Sequence, residues 1–182
     1  MQKLGIRNNC FHKTTTRQIA RAAQVSVGSM YEYVASKEDI LYLACLSIHD
    51  QVEQGVTHAI GMTTSGRDMI KEVIREFFMV CHRMSDQILL MYQVTKSLPV
   101  QWQKKVLEND IRITNLLLEA LKKVMEAGGI PRMAEKSCDL IAQNITVLGH
   151  MWTFRRWHLA KHFTIEEYIQ EQTRIILGLL AE

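Results

Sequence analysis

Two histidines and a glutamate near the end of the chain have a spacing that could hold a metal ion. His158 and His162 are four residues apart, which places two imidazoles on one helix face, and Glu166 follows four residues later. Thr164 and Glu167, however, form a capping box, which predicts a helix break before the third candidate ligand. The sequence also contains no nucleophile elbow and no glycine-rich phosphate loop. We therefore predict no catalytic residue, no metal and no cofactor, and keep a metal-binding helical enzyme as an alternative.

Hydroxyl residues stand ahead of three helical patterns within the stretch TTTRQIARAAQVSVGSMYEYVASKED. Thr15 and Gln18 make a capping box for a first short helix that ends near Gln24. Ser26 caps a second short helix, in which small residues occupy the first turn and the apolar pattern extends to Val34. Ser36 caps a third, longer helix with acidic residues in its first turn. Two short helices joined by a tight turn indicate a helix-turn-helix, whose second helix enters the DNA major groove.

The charge distribution agrees with a polyanionic partner for this segment. Residues 1–42 hold six Lys or Arg and three acids, and the remaining residues hold equal numbers of each. The net charge of +3 therefore arises from the segment with the helix-turn-helix pattern.

The stretch TTTRQIARAAQVSVGSMYEYVASKEDIL resembles the DNA-binding signature of the TetR family of bacterial transcriptional regulators, without a gap. The resemblance implies an all-helical homodimer that binds a palindromic operator and usually represses. It also implies that a small molecule entering the C-terminal domain releases the protein from DNA. The implied domains are residues 1–46 for DNA binding and residues 47–182 for effector binding and dimerisation.

The resemblance also implies a set of DNA contacts: Thr15, Thr16, Arg17, Val27, Gly28, Ser29, Tyr31, Tyr33 and Lys37. Residues 15–17 and the lysine would contact phosphates, residues 27–29 would face base edges, and the tyrosines would contact the backbone. Two alternatives stay open. Thr15 is equally well explained as a helix cap alone, and Tyr31 as a core residue that holds the recognition helix.

Two positions depart from the family pattern. Gln24 stands where members often have glycine, which predicts a non-glycine residue in a left-handed conformation. Only MQKLGIRNN precedes the segment NCFHKTTTR, where the family normally has a full amphipathic helix. We therefore expect a shortened first helix and a loosened DNA-binding module.

The rest of the chain is helical in pattern and shows no strand alternation. The stretch GRDMIKEVIREFFMVCHRM has one broad apolar face, Pro99 opens a long helix, and Gly128 and Gly129 end it. Residues 134–159 carry two apolar stripes, so this helix needs two burial partners. With the final helix, IEEYIQEQTRIILGLL, it is expected to form a four-helix bundle with a second subunit.

The effector site is the least determined part of the sequence. Arg155, with Arg156 beside it, follows Trp152 by three residues and so falls on an apolar stripe, where a charge must be paired or meet an anion. One hypothesis is an apolar anionic effector such as an acyl-CoA, which some family members bind. The alternative is that Arg155 pairs with a glutamate across the dimer interface. The candidate effector contacts are Phe78, His82, Met91, Tyr92, Trp152, Arg155 and Arg156.

The remaining expectations concern class, location and mechanism. No stretch is long and apolar enough for a membrane span, and four separated cysteines form no CxxC motif, so we expect a soluble cytoplasmic protein. A helical adaptor with a degenerate DNA module is a further alternative. For the regulator, we expect an effector to shift the long helix after Ser36 and thereby change the spacing of the two recognition helices.

Overall fold

The computed structural model describes residues 14–62 and 66–180 of the chain. These residues form eight α-helices and one 3-10 turn, and none of them lies in a strand. The helices are α1 Thr16–Ala22, α2 Val27–Tyr31, α3 Lys37–Met62, α4 Arg67–Arg83, α5 Ser85–Val94, α6 Val100–Glu126, α7 Glu135–Leu159 and α8 Ile165–Leu179, with the 3-10 turn Thr95–Ser97 after α5. The predicted all-helical class is confirmed. The expected shortened first helix and the loosening that follows from it concern residues 1–13, outside the described residues.

The predicted helix starts are present. Thr15 caps α1 through a complete capping box with Gln18. The backbone N–H of Ser29 donates to Ser26 Oγ at 2.9 Å, which caps α2. α2 ends at Tyr31 rather than at Val34, because the N–H groups of residues 33 and 34 both turn back to the Met30 carbonyl.

Gln24 adopts the left-handed conformation that its position predicts. Its φ is 59°, and it is the one non-glycine residue with a positive φ in residues 14–62 and 66–180. A side chain in this region is strained by about 1 kcal/mol relative to glycine. The turn between α1 and α2 therefore carries a small local strain that glycine would relieve.

Helix α4 is the centre of the core. It contacts every other helix from α3 to α8, and its predicted apolar face is fully buried: Ile70, Val73, Ile74, Phe77, Phe78 and Cys81. Gly149 on α7 allows a close approach here, since a Cβ at that position would lie 2.6 Å from the Phe77 ring. Burying each large apolar side chain of this face contributes about 2–3 kcal/mol.

The long helices begin and end as their sequence predicts. Pro99 precedes the first residue of α6. Gly128 has a φ of 72° just after this helix ends, where a left-handed residue terminates the hydrogen-bond pattern. Helix α3 continues without a break through residue 46, so the helix-turn-helix and the larger helical unit share one rigid element.

Helices α7 and α8 each keep apolar side chains on the outside of the single chain. The inner stripe of α7 is buried at Cys138, Ile145 and Trp152, whereas Leu140, Val147 and Phe154 are exposed. Ile175 on α8 is exposed as well. No helix within the described ranges is both long and apolar enough to cross a membrane.

Candidate functional site

The two short helices are joined by a side-chain hydrogen bond. Tyr31 on α2 donates its hydroxyl to Thr16 Oγ1 on α1, at 3.1 Å. Tyr31 is 48% exposed and Tyr33 is 84% exposed, so neither tyrosine is a core residue. The alternative that Tyr31 is a core residue is therefore wrong: its phenol lies on the outer surface between the helices, where its hydroxyl has a partner and its ring stays accessible.

The other residues named as DNA contacts lie at or near the surface. Thr15, Arg17, Gly28 and Ser29 are exposed, and Thr16, Val27 and Lys37 are partly buried. The hydroxyls of Ser26 and Ser29 are 2.9 Å apart, so Ser29 is held against the cap of its own helix. The arrangement presents hydroxyls, backbone N–H groups and cations on one module, the groups that bind phosphates.

The loop after the recognition helix is fixed by Ser36 and Asp39. The Asp39 N–H donates to Ser36 Oγ at 3.1 Å, and the Asp39 carboxylate accepts from the backbone N–H of Ala35 and Ser36 at 3.0 and 2.9 Å. The predicted cap at Ser36 is therefore confirmed. A hydrogen bond of the Asp39 carboxyl group with the Ser36 side chain is the largest cause that holds its pKa below the usual value, and the two backbone N–H groups and Trp102 lower it further.

The start of α6 packs on the start of α3 beside this loop. Tyr42 and Trp102 stack with ring centroids 4.3 Å apart and planes inclined by 16°. Lys105 Nζ lies 4.7 Å from the Trp102 ring centroid, within the range of a cation–π contact. The start of α6 thus packs against the first turns of α3, the helix that follows the DNA-binding module.

The candidate effector residues from the sequence do not come together in one cavity. Phe78 and Trp152 are buried in an aromatic cluster with Tyr168, and the Trp152 indole N–H donates to His82 Nδ1 at 2.9 Å. Arg155 and Arg156 are exposed. The Arg155 guanidinium lies 5.2 Å from the Trp157 ring centroid, and its long side chain reaches solvent.

Met91 and Tyr92 lie instead at a different internal site. Met91 lines a small enclosed cavity between α3, α4, α5, α6 and α7, and the Tyr92 hydroxyl is hydrogen-bonded to His150 Nδ1 at 2.8 Å. The cavity has a volume of about 10 Å³, roughly the minimum for one water molecule. Its polar lining consists of His49, Asp110, Thr146 and His150.

His49 is the most unusual of these groups. It is 1% exposed, and within the described part of the chain neither ring nitrogen makes a hydrogen bond. The Cys45 carbonyl one turn earlier is near enough to affect the pKa of His49, but it lies outside hydrogen-bond geometry. Sequence reasoning missed His49, although one signal was available: it interrupts the apolar pattern of Leu41, Cys45, Ile48 and Val52.

Burial keeps both cavity histidines uncharged. Burial and, secondarily, the charge of Arg112 lower the pKa of His49 from 6.5 to about 4. Burial and, secondarily, His49 lower the pKa of His150 from 6.5 to about 4. Burial raises the pKa of Asp110 above its usual value. Burial thus disfavours the charged form of all three groups, and the site has both hydrogen-bond donors and acceptors.

The histidines proposed as metal ligands are separated from the glutamate by a helix break. α7 ends at Leu159, and Thr164 caps α8 through a capping box with Glu167, as predicted. The His158 and His162 rings lie 5.0 Å apart. No group of three or more potential metal ligands is assembled by residues 14–62 and 66–180.

The helix-turn-helix and the helical unit behind it define a DNA-binding transcriptional regulator. The family model for "Bacterial regulatory proteins, tetR family" matches residues 9–42. The HTH-type transcriptional regulator HbdR of Aromatoleum sp. (strain CIB) is 29% identical over 161 residues, which cover 88% of this chain and 69% of HbdR.

Solved structures of regulators have the same fold. PfmR from Thermus thermophilus superposes with a TM-score of 0.75 at 18% identity, over 92% of this chain and 90% of PfmR. A tetR-family regulatory protein from Rhodococcus gives a TM-score of 0.77 at 19% identity, over 94% of this chain and 88% of its own. The DNA-binding segment thus matches the tetR family of bacterial regulatory proteins, and the chain shares the fold of regulators of that family.

Proposed function

We propose that this protein is a homodimeric repressor that leaves its operator when an apolar small molecule binds inside the helical unit. The DNA-binding domain comprises residues 1–46, and the effector-binding and dimerisation domain comprises residues 47–182. The observation that carries the proposal is the position of His49. Among the described residues it is a buried polar group without a hydrogen-bond partner, and it lies on the helix that begins directly after the helix-turn-helix.

DNA recognition is assigned to the exposed side of α1, α2 and the start of α3. Arg17 and Lys37 would neutralise phosphates, while Gly28 and Ser29 would approach base edges in the major groove. Thr16 and Tyr31 support this surface through their hydrogen bond, so the phenol both fixes the angle between the helices and remains accessible to the DNA backbone. Since DNA is its partner, we place the protein in the bacterial cytoplasm.

Dimerisation is assigned to α7 and α8. The exposed apolar side chains Leu140, Val147 and Phe154 follow one another at intervals of seven residues, so they form a single stripe along α7. Such a stripe is covered by the same stripe of a second copy in a two-fold interface. Two recognition helices are then held at a fixed spacing, near one turn of DNA or about 34 Å.

Release follows from the small size of the cavity. A ligand needs far more than 10 Å³, so its binding must separate the helices that line the site. His49 lies on α3, and Tyr42 on the same helix stacks on Trp102 of α6. A displacement of α3 relative to α6 therefore changes the position of the recognition helix in each subunit, and both half-sites lose their register together.

An acyl-CoA is one specific effector within this proposal. Its acyl part would lie among the apolar side chains that line the cavity, and the exposed Arg155 and Arg156 are the cations offered for its phosphates. Phe78, His82 and Trp152 would form the wall on that side, next to Tyr168. A ligand of this kind must open the packed aromatic cluster as well as the cavity.

The experiment is a footprint on the DNA immediately upstream of the protein's own gene. The proposal expects protection of a palindrome whose half-sites are one helical turn apart. A Gly28→Ala, Ser29→Ala double variant should lose the footprint, while Lys136→Ala on the exposed side of α7 should keep it. Absence of any protected site for the wild-type chain would favour the adaptor alternative and contradict the repressor.

A further inference from the structure

We propose that the cavity around His49 binds an uncharged apolar group of a ligand that carries a hydroxyl or carbonyl, and that it rejects carboxylates and ammonium groups. The inference rests on the proposed function, because it names the chemical class of the effector at the same site. Three observations on the cavity support it, and none of them involves the DNA-binding module. They are the unpartnered His49 imidazole, a lining without Lys or Arg, and an apolar wall.

The first observation is the unused hydrogen-bonding capacity of His49. Its neutral ring has one N–H donor and one acceptor nitrogen, and neither has a hydrogen-bond partner in the part of the chain that the structure describes. An unsatisfied buried polar group is unfavourable in the empty protein. Two other polar groups of the lining are already engaged: His150 with Tyr92, and Thr146 with both Thr114 and the Ala142 carbonyl. A ligand with a hydroxyl or carbonyl would therefore find its free partner at His49.

The second observation is the charge of the lining. Asp110 is the only residue of the cavity lining that carries a formal charge, and no Lys or Arg contributes to it. The nearest cation, Arg112, is turned to the surface, where it pairs with Glu53 at 2.7 Å and lies 3.9 Å from Asp50. A carboxylate would meet Asp110 and no compensating charge, so its desolvation would not be repaid.

The cavity also disfavours a cation. The imidazoles of His49 and His150 stay neutral because of burial, and burial likewise favours the protonated form of Asp110. An ammonium would lose its hydration in this lining, where Asp110, whose charged form burial disfavours, is the one carboxyl that could compensate it. A neutral head group matches the lining without any change of protonation.

The third observation is the apolar wall. Phe77, Ile88 and Met91 line the cavity together with the polar groups. Met91 is flexible and lies on the shortest of the lining helices, so it is the side chain most easily displaced by an apolar ligand body. The site thus resembles a closed ligand pocket with a few fixed polar groups on an apolar background.

The test compares three probes of equal length with different head groups: octan-1-ol, octanoate and octylamine at pH 7.5. Isothermal titration of the full chain should show octan-1-ol binding with an affinity at least about tenfold above that of either charged probe. Equal or tighter binding of octanoate or of octylamine would overturn the inference. Absence of octan-1-ol binding up to its solubility limit would overturn it as well.

Variants at His49 separate a ligand-binding role from a structural one. His49→Leu should raise Tm of the empty protein, because two unpaired buried nitrogens are removed, and should weaken octan-1-ol binding at least about tenfold. His49→Gln, which keeps a donor and an acceptor, should retain binding better than the leucine variant. His58→Leu, at an exposed position of the same helix, should change neither property.

A His49→Leu chain that melts below the wild type or fails to fold contradicts the inference, since His49 would then support the fold. Unchanged octan-1-ol binding in that variant also contradicts it. The proposed function can fail separately from the ligand site. If octan-1-ol binds through His49 but leaves the affinity for operator DNA unchanged, the ligand site is supported and release of DNA by an effector at this site is contradicted.

Discussion

Tyr42 and Trp102 stack face to face, with their ring centroids 4.3 Å apart, and join α3 to α6 next to the DNA-binding module. Further along the same two helices, His49 and Asp110 line the internal cavity together. His49 follows Tyr42 by seven residues, or about 10 Å of helix, and Asp110 follows Trp102 by a similar distance. The aromatic stack and the cavity are therefore two contacts between one pair of helices, and a change at one is transmitted to the other through rigid elements.

The first prediction concerns this stack. In a double-mutant cycle of Tyr42→Leu and Trp102→Leu, urea denaturation should give a coupling free energy of about 0.5–1.5 kcal/mol. The Trp102→Leu variant should also bind operator DNA several-fold more weakly, since α3 loses the contact that fixes its first turns. Val100→Ala, exposed in the same turn of α6, is the control and should change stability by less than about 0.5 kcal/mol. A coupling near zero would show that the rings are merely adjacent.

The second prediction concerns the strained turn. Gln24→Gly should stabilise the protein by about 0.5–1 kcal/mol, because glycine adopts a positive φ without steric conflict. For a chain of this length the change corresponds to a rise in Tm of about 1–4 °C, provided that the module unfolds with the rest. Ala23→Gly is the matched control: its φ of −79° suits any residue, so glycine there should be destabilising. A lower Tm for Gln24→Gly would mean that the glutamine side chain makes a compensating contact.

The third prediction concerns pH. His49 and His150 have pKa values of about 4 in the fold and 6.5 when exposed, so the unfolded chain binds more protons than the folded chain between these values. The free energy of unfolding should therefore be highest above pH 6.5 and should fall as the pH drops toward 4. Between pH 7 and pH 5, each histidine should lower the free energy of unfolding by about 2 kcal/mol. The raised pKa of Asp110 acts in the opposite sense at the acid end of this range.

Urea denaturation from pH 8 to pH 4.5 measures this dependence. His49→Leu should remove about half of the loss between pH 7 and pH 5, whereas His58→Leu should leave the curve unchanged. If the stability of the wild-type chain is flat across this interval, the two imidazoles are not buried in neutral form.

The fourth prediction concerns the exposed stripe of α7. Val147→Glu should convert a dimer into a monomer, because it places a charge in the middle of an apolar two-fold interface. Light scattering coupled to gel filtration measures the mass directly. Leu107→Glu, at an equally exposed apolar position of α6, is the control and should leave the dimer intact. A wild-type chain that is monomeric at micromolar concentration would contradict the assigned interface.

The helix starts could be predicted from the sequence, because they depend on residues close together in the chain. The internal cavity could not, because it depends on how the helices pack. Thr15, Ser26, Ser36 and Thr164 each cap a helix as expected, because a cap involves residues only three positions apart. The conformation of Gln24 was likewise predictable from its place in the turn. Each of these features is determined by the conformation of a few consecutive residues.

The cavity could not be derived in the same way. His49, Asp110, Thr146 and His150 come from three separate helices, and only the packing of α3, α6 and α7 brings them together. The sequence directed attention to Arg155 instead, since a guanidinium on an apolar stripe looks unusual. Its side chain is long enough to leave the stripe, and periodicity alone does not reveal this.

Operator recognition through α1 and α2 is the property on which the proposed function depends. It is measured by fluorescence anisotropy with the DNA upstream of the protein's own gene, across a series of salt concentrations, with unrelated duplex DNA as the comparison. We expect tight, sequence-selective binding with a steep salt dependence. In Arg17→Ala, the slope of log K against log salt concentration should be smaller by about one. Equal affinity for both duplexes, or a slope that Arg17→Ala leaves unchanged, would contradict operator recognition by these helices.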